Sequence, residues 1–164
     1  MWNRGKITVH WKDEYKNFPY FYKPANNKDI EQWRKNGYTH KKFTGEMFCD
    51  QQNLPEWTML ISEEIGLKNC GFTFYKMHTG IIMPQHIDHF ETYCKIFNVH
   101  RSNVFRAIIA LEDWKQGHYF EIDGVPIVDW KRGDYVMWSS DTPHNAANIG
   151  LEDRYTLQIT GIKS

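Results

Sequence analysis

Three kinds of feature are scarce in this chain, and each absence excludes something. Cysteine is the first: Cys49, Cys70 and Cys94 stand at irregular spacing with no CxxC pair. That pattern excludes a zinc knuckle and a disulfide framework, and it predicts reduced thiols in a cytoplasmic protein. Charge of one sign is the second, because 20 Lys and Arg balance 20 Asp and Glu. A balanced chain lacks the electrostatic footprint of a polyanion binder, so no nucleic-acid partner is expected. Long apolar runs are the third. No stretch approaches the roughly 18 apolar residues of a membrane span, and Met1-Trp2-Asn3-Arg4-Gly5 holds no apolar run of the signal-peptide kind. No membrane partner is expected.

Aromatic residues are abundant instead, at 16 % of the chain with seven Trp and nine Tyr. They serve all-β cores or line pockets, and composition does not separate the two uses. The 164 residues fit one domain, 1–164, that changes character near residue 69. Residues 1–69 read as a helical and irregular N-terminal part, and 70–164 as a run of short strands forming a jelly-roll core. The N-terminal aromatics Trp11, Tyr15, Phe18, Tyr20, Phe21 and Tyr22 fit either a recognition surface or a cover for one face of a sheet.

Two helices are predicted. The first spans 28–35, with Asn27 as its cap and Gly37 past its end. The second spans 54–65, with Asn53 and Glu56 as a capping-box-like pair and Gly66 as its stop. Its apolar face is Leu54, Trp57, Leu60, Ile61 and Ile65. Strands are predicted at 72–77, 81–88, 104–111, 119–122, 125–128, 134–138, 144–147 and 155–162. Asp123-Gly124 is a tight-hairpin signal, and Arg132-Gly133-Asp134 marks a further turn. Many short antiparallel strands predict a mainly β sandwich or barrel, a jelly roll being one compact solution.

His86-Ile87-Asp88 carries the chemistry. A histidine and a carboxylate two positions apart on a strand share a face. His144, from a distant strand, completes two imidazoles and one carboxylate, a set that covers one face of Fe(II) and leaves the opposite positions open. Arg154, ten residues on, suits a dicarboxylate co-substrate; alternatively it is a surface arginine beside Glu152 and Asp153. Arg106 is the rival anchor. Its charge at the head of an apolar strand needs a partner, either the co-substrate or an acid such as Glu112 or Asp113. By strand parity His89 faces away from the cavity, and His78, His100 and His118 read as surface or loop histidines. Phe90-Glu91-Thr92-Tyr93 reads as a loop at the rim of the site.

Over roughly residues 75–161, the chain resembles the Fe(II)/2-oxoglutarate-dependent oxygenase superfamily. The matching residues are Tyr75, Gly80, His86, Asp88, Gly133-Asp134, His144, Asn148 and Arg154. The run from Arg106 to Leu111, with Gly117, Phe120 and Trp138, resembles its aspartyl/asparaginyl β-hydroxylase-like and prolyl-hydroxylase-like branches. The resemblance implies a double-stranded β-helix (jelly-roll, cupin-like) with N-terminal helices packed on the sheet. It implies Fe(II) on His86, Asp88 and His144, and 2-oxoglutarate and dioxygen as co-substrates. It also implies Arg154 on the far carboxylate of 2-oxoglutarate, with Thr156 adding a hydrogen bond. Tyr75 either points its hydroxyl at the co-substrate or is a core tyrosine, and Asn148 orients the loop after His144. The implied reaction is hydroxylation of a small molecule or peptide side chain. A metal-dependent cupin enzyme without 2-oxoglutarate, and a non-enzymatic all-β binding module, stay open as alternatives.

Overall fold

Alternation along the last long strand sets the architecture. In the computed structural model, which describes residues 1–164, the strand β11 (Arg154–Lys163) turns Arg154, Thr156, Gln158 and Thr160 into a cavity, and Leu157 and Ile159 to the opposite side. Period-two patterning of this kind gives the sheet one apolar face for a core and one polar face for a cavity.

The large sheet has seven antiparallel strands in the order β1-β9-β6-β11-β4-β3-β2. They are β1 (Trp2–Lys6), β2 (Phe21–Tyr22), β3 (Glu46–Phe48), β4 (Leu67–Met77), β6 (Val104–Ala110), β9 (Asp134–Ser139) and β11. The small sheet has the order β5-β10-β7-β8, built from β5 (Ile82–His86), β7 (His118–Ile122), β8 (Val125–Ile127) and β10 (His144–Asn148). Three helices complete the fold: α1 (Asn27–Lys35), α2 (Trp57–Glu64) and α3 (Glu91–Phe97).

One core lies behind the large sheet. There Phe72, Phe74, Ala107, Ile109, Leu157 and Ile159 meet Ile61 and Ile65 at α2, together with Trp11 and Tyr15. Each fully buried side chain of this size contributes about 1.5–3 kcal/mol. Trp11 and Tyr15 are buried, with Phe18 and Tyr20 packed against them, so most of the N-terminal aromatics cover a sheet face. The second core lies between the sheets, where Met77, Ala110, Val136 and Trp138 pack on Phe120, Ile122, Ile127 and Ala146.

The strands predicted from the sequence are present, with ends shifted by up to five residues. Asp123 and Gly124, both at positive φ, form the β7–β8 hairpin, which is the backbone that a two-residue turn of matching twist requires. The structure also departs from the sequence expectations in several places. The cap of α1 is Asn26, whose side chain accepts from the Lys28 N–H at 2.8 Å, rather than Asn27. Helix α2 starts at Trp57, because Asn53 is engaged in a turn with Asp50 and Pro55 holds Leu54 extended. Its buried face is Thr58, Ile61 and Ser62 continued by Ile65, while Leu60 is exposed. Residues 1–69 also supply three strands, β1, β2 and β3, two of them at the sheet edges, where apolar alternation is weakest. Of Phe90-Glu91-Thr92-Tyr93, read as a loop, the last three residues form the first turn of α3.

Candidate metal centre

Pairing register brings the metal-ligand candidates together. β5 and β10 are antiparallel neighbours with His144 directly opposite His86, and their ring centroids are 4.3 Å apart. Asp88 lies just beyond the end of β5 rather than on it, since that strand stops at His86. The candidate donor atoms of His86, Asp88 and His144 all lie within 4.8 Å of one another, and no fourth His, Cys, Asp or Glu joins them.

Both imidazoles are held by the same device. Nδ1 of His86 lies 2.9 Å from the Pro84 carbonyl, and Nδ1 of His144 lies 3.0 Å from the Thr142 carbonyl. A carbonyl only accepts, so each Nδ1 carries the proton and each Nε2 keeps its lone pair for a ligand. Burial drives the His144 pKa down to about 4, against the pull of Asp88, so this ring is neutral at physiological pH. Asp88 is buried too, but Arg106, then His144 and His86, outweigh burial and hold its pKa below the usual carboxylate value. The Trp138 indole donates to Asp88 Oδ2 at 2.9 Å, and Arg106 Nη1 donates to Oδ1. Trp33 meets His86 edge-on at 5.7 Å and is fixed by its own bond to the Gln85 carbonyl.

The triad opens into a cavity of about 740 Å³, within the range of small-molecule sites. Arg154 lies at one end. It is buried at 7 % exposure, and its Nε has no hydrogen-bond partner. Its guanidinium sits 5.2 Å from the Trp130 ring and 5.9 Å from the Phe120 ring, with no carboxylate beside it. Burial lowers its pKa to about 10, so it stays charged at neutral pH. Thr156 lies one cavity-facing position further along β11, opposite Tyr75 on β4, and both line the cavity. Burial is the main cause of a raised Tyr75 pKa, which keeps the phenol protonated.

Several sequence-predicted residues stand elsewhere than expected. Arg106 pairs with Asp88, and not with Glu112 or Asp113, which bind lysines instead. His89 lines the cavity mouth, 3.7 Å from Asp29, because the parity that turned it away ends with β5. His118 is buried and bonded to the Glu152 carbonyl. Asn148 does orient its loop. Its side-chain oxygen accepts from the Gly150 N–H at 3.0 Å, and its amide donates to Met77 and Glu152 carbonyls at 2.8 Å. Sequence reasoning missed Trp33, Asp29, Gln158 and Thr160. Parity with Thr156 marks the last two as cavity-facing, whereas no local signal marks the first two.

Two antiparallel sheets, with a His-Asp-His cluster where β5 and β10 pair, form a double-stranded β-helix. Among solved structures, a Pseudomonas putida prolyl-4-hydroxylase superposes with a TM-score of 0.61 at 15 % identity, over 99 % of this chain and 92 % of that one. The non-heme alpha-ketoglutarate-dependent carbocyclase SnoK from nogalamycin biosynthesis superposes at 0.60 and 12 % identity, over 99 % and 79 %. No family model matches the sequence, and no curated protein matches it. The likeness is therefore one of fold.

Proposed function

We propose that the protein is a non-haem iron oxygenase that couples oxidative decarboxylation of 2-oxoglutarate to hydroxylation of a small-molecule or peptide side-chain substrate. One observation carries the proposal: the cavity that presents three metal donors also buries a cation, Arg154, with no acidic partner. An unpaired buried guanidinium is costly, and a ligand carboxylate removes that cost with two parallel hydrogen bonds.

The residues fit both groups. Two imidazole Nε2 atoms and one ionised carboxylate match the donor preference of Fe(II), and three protein ligands leave room for others on the cavity side. Arg154 with its orphaned Nε, and the Thr156 hydroxyl beside it, match the far carboxylate of a five-carbon keto diacid. When bound, Fe(II) and 2-oxoglutarate supply the redox chemistry, with dioxygen as the oxidant and succinate and carbon dioxide as by-products.

The chain's own contribution is ligation, orientation and exclusion of water. Pro84 and Thr142 carbonyls fix the imidazole rings, and Trp138 and Arg106 fix Asp88 through separate oxygens. Arg106 in this reading serves the metal carboxylate and leaves the co-substrate to Arg154. The protonated Tyr75 phenol faces the same stretch of cavity as Thr156 and offers a further donor. Met77, Phe120 and Trp138 wall the inner end and keep it dry. No helix is long and apolar enough to cross a membrane, and three free thiols suit a reducing compartment, which supports a cytoplasmic enzyme.

The test is anaerobic reconstitution with Fe(II) and then 2-oxoglutarate. The expected result is the visible charge-transfer band of the chelate, followed in air by succinate release. Metal binding without the band removes 2-oxoglutarate from the mechanism and leaves a cupin-type metalloenzyme.

A further inference from the structure

The cavity holds one cation more than the proposed chemistry uses. Its interior contains two guanidiniums, Arg106 and Arg154, and one carboxylate, Asp88. With Fe(II) and 2-oxoglutarate bound, the added charges cancel and one positive charge remains. The mouth does not offset it. There Lys23 stands against Asp29, and Glu91 is paired at 3.2 Å with Lys28, which lies outside the cavity lining. An uncompensated charge in a desolvated site favours a ligand of opposite sign.

Arg106 is where that charge is accessible. Nη1 is taken by Asp88, and Nε donates to Thr160 Oγ1 at 3.2 Å. The guanidinium lies 5.0 Å from the Phe90 ring, which fixes its plane. Nη2 has no partner in the protein, and the side chain is 21 % exposed on the cavity wall. The next cavity-facing position along β11 is Gln158, with Thr73 opposite it. Helix α3 adds Ile96 and Phe97, both exposed, to the lining of the same chamber.

On the iron and 2-oxoglutarate reading above, we infer that the chamber beyond the metal takes a substrate with a single carboxylate and a compact apolar body. Its carboxylate sits on Arg106 Nη2 and Gln158, and its body lies along Ile96 and Phe97. A phosphate dianion overshoots the free charge by one, and a neutral substrate leaves it unpaired. Since the same guanidinium touches a metal donor, the oxidised carbon lies only a few bonds from the carboxylate.

The experiment titrates matched acids and primary amides into the anaerobic Fe(II)–2-oxoglutarate protein and follows the chelate band. The probes are N-acetyl-leucine, N-acetyl-phenylalanine and 3-phenylpropanoate, each against its amide. We expect acids to perturb the band with a Kd about tenfold or more below that of the amide, the worth of one charge-assisted contact. Arg106→Lys keeps the preference and Arg106→Gln erases it. Gln158→Leu, at a side chain bonded to neither Asp88 nor Arg106, weakens acid binding while Co(II) affinity stays at the wild-type value, and it decides the matter if Arg106→Gln loses metal. Equal binding of acid and amide, no binding of any probe, or a preference that survives Arg106→Gln overturns the inference. The chelate band in the same samples shows that the oxygenase reading survives such a failure, whereas its absence removes both.

Discussion

Replacing Arg154 with methionine separates what this side chain costs the empty protein from what it gives the loaded one. A guanidinium whose pKa is lowered to about 10 by burial is about 3 kcal/mol less stable charged inside the protein than in water. Its contacts with the Trp130 and Phe120 rings return about 0.5–2 kcal/mol. Methionine keeps an apolar filler of similar length and carries no charge. The metal-free variant should therefore be more stable than the wild type by about 1–3 kcal/mol, which for a chain of this size raises Tm by roughly 2–10 °C. Ligand reverses the order. With Mn(II) as a redox-silent metal and 2-oxoglutarate at about one hundred times its Kd, the wild type gains about 2.7 kcal/mol and Arg154→Met gains little. Thermal melts followed by circular dichroism, with and without the two ligands, read both effects. A variant that melts below the wild type when empty, or that gains as much from 2-oxoglutarate, refutes the reasoning.

Three further predictions rest on other parts of the molecule. His78 bridges Glu46 and Asp153 at 2.9 Å each; burial pulls its pKa down, but the two acids outweigh it and raise the value above 6.5. Its stabilising contribution is full below the unfolded value and is lost as pH rises through the folded one, so the stability gap to His78→Gln should narrow from about pH 6 to pH 9 in urea titrations. A gap that widens with pH contradicts this. Gly117 has φ +88°, and a Cβ there would lie 2.2 Å from the Gly150 backbone nitrogen. Gly117→Ala should cost about 2–4 kcal/mol and, through the loop leading into Arg154, weaken 2-oxoglutarate binding; an unchanged Tm would show that the crossing relaxes freely. Trp138→Phe removes the indole donor to Asp88 and should lower Co(II) affinity about 10–100-fold by titration. Unaltered affinity would mean that Arg106 alone holds the carboxylate.

Legibility in the sequence tracked how local each signal was. Runs rich in Val, Ile and Thr at 104–111 and 155–162 marked β6 and β11, and Asp123-Gly124 marked its hairpin because only a few residues accept positive φ twice in a row. The candidate donors His86, Asp88 and His144 were readable as a set, since few residue types can hold a metal with open sites. Short strands such as Phe21–Tyr22 and Glu46–Phe48 were not, having too few residues to show a period. Where Arg106 reaches was also hidden. Its partner Asp88 lies 18 residues away, and only sheet-to-sheet packing joins them. His89 shows the limit of parity, which holds only while the strand lasts, and β5 ends three residues before it.

Metal titration of the wild type beside His86→Ala, Asp88→Ala and His144→Ala tests the central claim most directly. One Co(II) or Fe(II) per chain in the wild type, lost in each single variant while the fold is retained by circular dichroism, is the predicted result. Stoichiometric metal that survives all three substitutions would contradict a centre built from those side chains.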